Sequence, residues 1–150
     1  MRVSECVGID VGHLDFDQNA VLVTRKGGNQ ARLYFGDEVR EALLQYLGTR
    51  PDAPPEEPLF LSNRGSRLTV RSVENLVKKY AKIVTPLKKI TPHKLRSTYG
   101  TNLYRETGDI YLVADVLGHS DVNTTKKHYA ALEDERRRSA RNAVRLREKE

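Results

Sequence analysis

This 150-residue chain holds a single cysteine, Cys6, so it cannot form an internal disulfide or build a cysteine-based zinc site. That usage fits a reducing compartment, and a cytoplasmic setting is expected. No apolar run approaches the roughly 20 residues that a membrane span needs. The opening Met1-Arg2-Val3-Ser4-Glu5 lacks the make-up of a signal peptide. Histidine is scarce as well. No two of His13, His93, His119 and His128 form an i, i+4 ligand pair with a carboxylate to join them, which argues against a metal-dependent nuclease. A metal site is not expected. Internal repeats are absent.

What is present describes a soluble globular domain. Hydrophobic residues make up 38% and charged residues 31% of the chain, a balance far from that of disordered segments. The length suits one domain spanning 1–150 with a real core. The 26 Lys and Arg against 20 Asp and Glu leave a net charge of +6, which favours an anionic partner without naming one.

The pattern along the chain predicts an α+β fold, mainly helical with a small three-stranded antiparallel sheet. Residues 2–9 have helical spacing and no cap ahead of them. Val11 to Phe16, Ala20 to Thr24 and Gln30 to Phe35 read as strands of a meander, with Lys26 at the tip of the second hairpin. Asp37 is placed to cap a helix with an apolar stripe of Val39, Leu43, Leu44 and Leu47. Four of the six prolines fall between Arg50 and Pro58, which must be a loop. A helix from about Val70 to Ile83 has Val73, Leu76, Val77 and Tyr80 as its inner face. Thr91-Pro92 marks a helix start that runs to Glu106. Asp109 caps the next helix, which stops at Gly118. Ser120 or Asp121 starts another that carries Tyr129, and Glu133 to Arg147 forms a charged final helix.

Six polar residues spread along this pattern carry the chemistry: Arg2, Lys26, His93, Arg96, His119 and Tyr129. They supply two guanidiniums, an ammonium, two imidazoles and a phenol, the parts needed to cut a phosphodiester without a metal. His93 and Arg96 share a helix face in a first turn, where the dipole and open N–H groups favour an anion. Each piece also has a plain structural reading. His93 and Arg96 suit an ordinary helix start, and Lys26 a solvated hairpin tip. His119 suits a helix cap, Tyr129 a core position in line with Val122, and Arg2 a surface pair with Glu5.

Taken jointly, the residues resemble the tyrosine recombinase, or phage integrase, family. Arg2-Val3-Ser4-Glu5 is similar to its first arginine box, and Lys26 to its hairpin lysine. Thr91 to Thr98 resembles its H-x-x-R box, Leu117-Gly118-His119-Ser120 its second histidine box, and Thr124-Thr125 with Tyr129 its nucleophile segment. The resemblance covers nearly the whole chain. It implies a DNA breaking-rejoining catalytic domain that performs site-specific recombination or integration for a mobile element or chromosome, through a 3′-phosphotyrosyl intermediate and with neither a metal nor a cofactor. Tyr129 would attack, Arg2 and Arg96 clamp the phosphate, Lys26 protonate the leaving oxygen, His93 act as base and His119 bond the phosphate. Glu5 would fix its neighbours. Double-stranded DNA is the implied partner, with self-association on DNA through the C-terminal helix. Against the family pattern, an N-terminal DNA-clamping domain and some helix before Arg2 are missing, so a truncated fragment with weak or no activity alone is expected.

Two other readings compete. Asp109 to Tyr129 has the helix–Gly–helix form of a helix-turn-helix DNA-binding module, with Asn123, Thr124, Lys126 and Lys127 offered to DNA. It leaves Thr91 to Thr98 unexplained. A type IB topoisomerase shares the chemistry but not the Leu-Gly-His-Ser box.

Overall fold

The computed structural model describes residues 1–119 and 121–144. The chain forms two compact units, one of Met1–Leu95 and one that begins at Arg96. The boundary falls inside a helix.

The first unit is a small sheet with helices. After α1 (Val3–Val7) come β1 (Leu14–Asp15), β2 (Ala20–Thr24) and β3 (Gln30–Tyr34), antiparallel in the order β1-β2-β3. Val21 pairs with Leu14 on one side and Leu33 on the other. Alternation sends Val21 and Val23 inward, where they pack with Ile9 and Leu59. Around them sit Leu33, Phe35, Leu43, Tyr46, Leu47 and Phe60, so α2 (Asp37–Gly48) and the proline-rich loop close the core. Arg50 pins that loop: it donates to the carbonyls of Pro58 (3.0 Å) and Leu59 (2.6 Å) and to the Glu57 carboxylate (3.0 Å). Leu59 is 1% exposed. Leu59→Ala should therefore cost about 3 kcal/mol, the usual effect of emptying such a site, read as a lower urea midpoint.

The second unit is helical. Its elements are α4 (Pro92–Thr107, whose first turn belongs to the first unit), α5 (Ile110–Leu117), α6 (Val122–His128) and α7 (Ala130–Ser139). Its core gathers Tyr104, Ile110, Val113, Leu117 and Tyr129. Asp109 caps α5 by accepting from Tyr111 and Leu112 N–H, and Asp121 caps α6 by accepting from Asn123 N–H. At the other end of α4, the Arg136 side chain of α7 crosses Gly108, donates to the Arg105 carbonyl and lies over the Tyr104 ring.

The mainly helical fold with a three-stranded antiparallel sheet is as expected, and several details differ from the sequence-based picture. The first strand is two residues long. Val11 and Gly12 donate instead to Glu57 and Pro55 in the loop, and a Cβ at Gly12 would lie 2.8 Å from that of Pro55. The cap of α2 is Gly36, and Asp37 is its first residue, where the charge meets the helix dipole. In α2, Val39 and Leu44 are exposed, since only the side carrying Leu43, Tyr46 and Leu47 meets the sheet. In α3 (Val70–Val84), Val73 and Val77 are half-buried but Leu76 and Tyr80 are exposed, because the α1 packed against it is only five residues long. Tyr129 lies between α6 and α7 with φ −109° and ψ 19°, outside either helix. The last helix starts at Ala130 and gives way at Ala140 to a 3-10 turn. Ser120 and the stretch 145–150 of the expected final helix lie outside the described residues.

Candidate active site

The first unit carries Arg2, Lys26 and His93. Arg2 precedes α1, and its N–H donates to the Glu5 carboxylate at 2.7 Å, half of a capping box. A guanidinium cannot accept, so the reciprocal half is missing. Glu5 is buried, with Arg2 and Arg25 nitrogens each 3.9 Å from its carboxylate. A buried carboxylate held between two guanidiniums fixes the α1 start against the end of β2. Lys26 follows Arg25 and is exposed in the Lys26–Gly28 turn, where Gly27 takes a φ of 86° that a side chain would strain. His93 is exposed in the first turn of α4, where Thr91 caps the helix by accepting from Lys94 N–H at 3.2 Å. A cleft lined by Val3, Arg71, Lys78, Lys82, Lys89 and His93 opens beside it.

The second unit carries Arg96, His119 and Tyr129, all arranged about the C-terminal end of α5. Gly118 ends that helix in the left-handed region, at φ 78°, and the His119 N–H returns to the Ala114 carbonyl at 2.9 Å. Arg96 Nη2 donates to the Leu117 carbonyl at 2.6 Å, so a cation also satisfies the negative end of the helix. The His119 ring shares a short hydrogen bond through Nδ1 with the hydroxyl of Thr125, which is fully buried. That bond fixes the ring plane. Tyr129 is 3% exposed and packs with Leu117, stacked on Tyr104 with ring centroids 6.1 Å apart. Its hydroxyl makes no hydrogen bond to a described residue.

Arg96 and the Tyr129 ring thus address one helix end, while Arg2, Lys26 and His93 occupy the other unit. The model of the phage integrase family matches residues 1–136. The chain belongs to the phage integrase family. Tyrosine recombinase XerC of Thermodesulfovibrio yellowstonii is 36% identical over 133 residues, which are 84% of this chain and 44% of that protein. Tyrosine recombinase XerC of Bacillus subtilis is 34% identical over 132 residues, again 84% of this chain and 43% of that protein. The XerA recombinase crystal structure matches with a TM-score of 0.79 and 30% identity over 98% of this chain and 54% of that one. The fold is also that of XerH recombinase in its post-cleavage complex with difH substrate, at a TM-score of 0.78 and 24% identity over 93% of this chain and 41% of that one. The chain thus spans less than half the length of these XerC relatives.

Within this integrase-family chain three residues were not singled out from sequence. Arg25 shares Glu5 with Arg2, and no local pattern marks it. Thr125 stood only as part of a Thr-Thr pair; its bond to His119 needs the α5–α6 turn to form first. Tyr104 looked like one of seven tyrosines. Burial, aided by Glu133, raises its pKa above the ordinary 10 despite the opposing pull of Arg136 and Arg137. The folded state therefore keeps its proton longer than the unfolded chain. Its stabilising share is whole below pH 10 and is lost as pH rises through the higher folded value. Tyr104→Phe should flatten the decline in thermal midpoint above pH 10.

Proposed function

We propose that this chain is a catalytic region for site-specific DNA recombination, working by strand cleavage and rejoining without a metal. The observation that carries the reading is the grouping of Arg96, His119 and Tyr129 about the end of α5, in a chain of the integrase family. The Tyr129 oxygen attacks a DNA phosphorus, and the P–O5′ bond breaks. The product is a 3′-phosphotyrosyl link and a 5′-hydroxyl, and a second strand's 5′-hydroxyl reverses the step to complete exchange. Arg2 and Arg96 hold the non-bridging oxygens as they gain charge, and His119 donates to the phosphate. His93 takes the phenol proton and Lys26 gives one to the leaving oxygen. Glu5, between Arg2 and Arg25, positions the first of those arginines.

Double-stranded DNA is the proposed substrate, in keeping with a net charge of +6. Self-association on DNA belongs to the same reading, with the exposed Val144 near the end of the described chain offered to a second protomer.

The test is incubation with a nicked suicide duplex, in which the cleaved strand diffuses away. A detergent-stable adduct on the Tyr129 peptide is expected from a chain extended to the length of its relatives, and a weak one or none from this chain alone. The absence of an adduct, both from this chain and from one extended to the length of its relatives, would defeat the enzymatic reading. A non-catalytic helix-turn-helix module is the second reading. The helix–Gly–helix layout of α5 and α6 and the burial of Tyr129 as a core side chain stand on its side. DNA retention without an adduct would favour it.

A further inference from the structure

Lys26 stands on a turn with little stiffness of its own. β2 and β3 pair as far as Thr24 and Gln30. Beyond them the backbone closes the loop, with Arg25 N–H donating to the Asn29 carbonyl at 2.6 Å and Gly28 N–H to the Arg25 carbonyl at 3.0 Å. Gly27 and Gly28 follow the lysine at φ 86° and 83°, and a Cβ at either would have no described neighbour within 4 Å. Glycine has the widest choice of backbone conformations, so the tip alone does not fix where the lysine points. The residue before it is different. Arg25 is extended, with φ −92° and ψ 170°, and neighbours along an extended chain point to opposite sides. The Arg25 side chain turns in, 17% exposed, while Lys26 is exposed. Arg25 Nε lies 3.9 Å from the buried Glu5 carboxylate.

We infer that Arg25 is a positioning residue that anchors the Lys26 turn to Glu5, and that this anchor sets how well Lys26 delivers its proton to the leaving 5′-oxygen. The inference rests on the proposed role of Lys26 as acid. A proton donor must come within hydrogen-bond reach of the oxygen it serves. A lysine has a flexible four-carbon stem, so its root must be held if its tip is to be found in one place. Glu5 can hold it. One oxygen, Oε1, accepts from Arg2 N–H at 2.7 Å, and the other, Oε2, faces the Arg2 and Arg25 guanidiniums. A single carboxylate thus ties the start of α1 to the root of the turn. Its charge is out of water, where losing one partner is costly, so the tie resists opening. The same carboxylate sets Arg2 and Lys26 in register with each other: an arginine that holds phosphate oxygens, and a lysine that serves the oxygen that leaves.

Arg25→Ala cuts the anchor, and its first readout needs no DNA. A lysine-specific endoproteinase needs the turn to open before it can cut after Lys26, and the exposed Lys88 in the same digest is the reference. Arg25→Ala should raise cutting at Lys26 about tenfold relative to Lys88, since such cutting follows the population of open turns. The second readout uses the chain extended to the length of its relatives, on suicide duplex with either oxygen or sulphur at the bridging 5′ position. A thiolate leaves without a proton. Arg25→Ala should slow adduct formation about 10²-fold on the oxygen duplex, the scale of an ångström's misplacement, and leave the sulphur duplex at the parental rate. Equal slowing on both duplexes, or unchanged cutting at Lys26, overturns the inference. Should Arg25→Ala fail to fold, adding Glu5→Gln removes the stranded charge and keeps an acceptor for Arg2 N–H. Folding should then return with the turn still open. A double variant that stays unfolded also overturns the inference, since Arg25 would serve the fold rather than the turn. A parent chain that forms no adduct on either duplex, with cutting at Lys26 raised in the variant, would leave the anchor standing and remove the acid assignment alone.

Discussion

Tyr129→Phe is expected to abolish covalent attachment to DNA while leaving the fold in place. The two side chains differ by one oxygen. That oxygen is the nucleophile of the proposed reaction, and no neighbouring group on α6 can replace it: His128 is exposed and turned edge-on to the Tyr129 ring, and Lys126 lies over Tyr111. The loss should therefore be complete on suicide duplex. Stability should change by less than about 1 kcal/mol, because the hydroxyl forfeits no hydrogen bond to a described residue. The ring keeps its place against Tyr104, Val113 and Leu117. Retained DNA binding in a gel-shift assay, with an unchanged urea midpoint and no adduct, is the expected pattern. An adduct of parental yield on the phenylalanine variant would show that another side chain attacks.

Much of the fold was legible because it is written in local chemistry. Asp109 and Asp121 cap the helices they precede, and Thr91 caps α4, since each needs only its own side chain and an N–H two or three residues ahead. The Lys26 hairpin and the Arg50 to Pro58 loop follow from turn residues. The missed features depend on distant partners. β1 is short because Gly12 meets Pro55 across the unit. Leu76 and Tyr80 are exposed because helical periodicity states which residues share a face, not whether that face finds a partner. The candidate site shows the same division. The motifs name residue types suited to phosphoryl transfer. They do not say that Thr125 holds His119, or that the phenol rests in the core beside a glycine on another helix. A motif records what the reaction needs, and the resting position of each group is settled by packing.

Arg96 is expected to be the most costly cation to lose, because it has two tasks. Its Nη2 holds the Leu117 carbonyl at the end of α5, one residue before the glycine turn that presents His119. In the proposed reaction it also clamps a phosphate oxygen. A guanidinium has five N–H donors in a planar fork, so the same group can hold a carbonyl and serve an anion. Arg96→Ala should slow adduct formation on suicide duplex by about 10³-fold, the scale of removing a donor from a developing oxyanion. It should also lower stability by about 1–3 kcal/mol, since the carbonyl at the helix end loses a charged donor. Arg96→Lys separates the tasks. An ammonium can restore charge near the carbonyl, and with it most of the stability. It cannot supply two parallel bonds to a phosphate while doing so. The lysine variant should therefore unfold close to the parent midpoint yet cleave nearly as slowly as the alanine variant. Parental cleavage by Arg96→Lys would mean that charge alone suffices, and the clamp would have to be assigned to another residue.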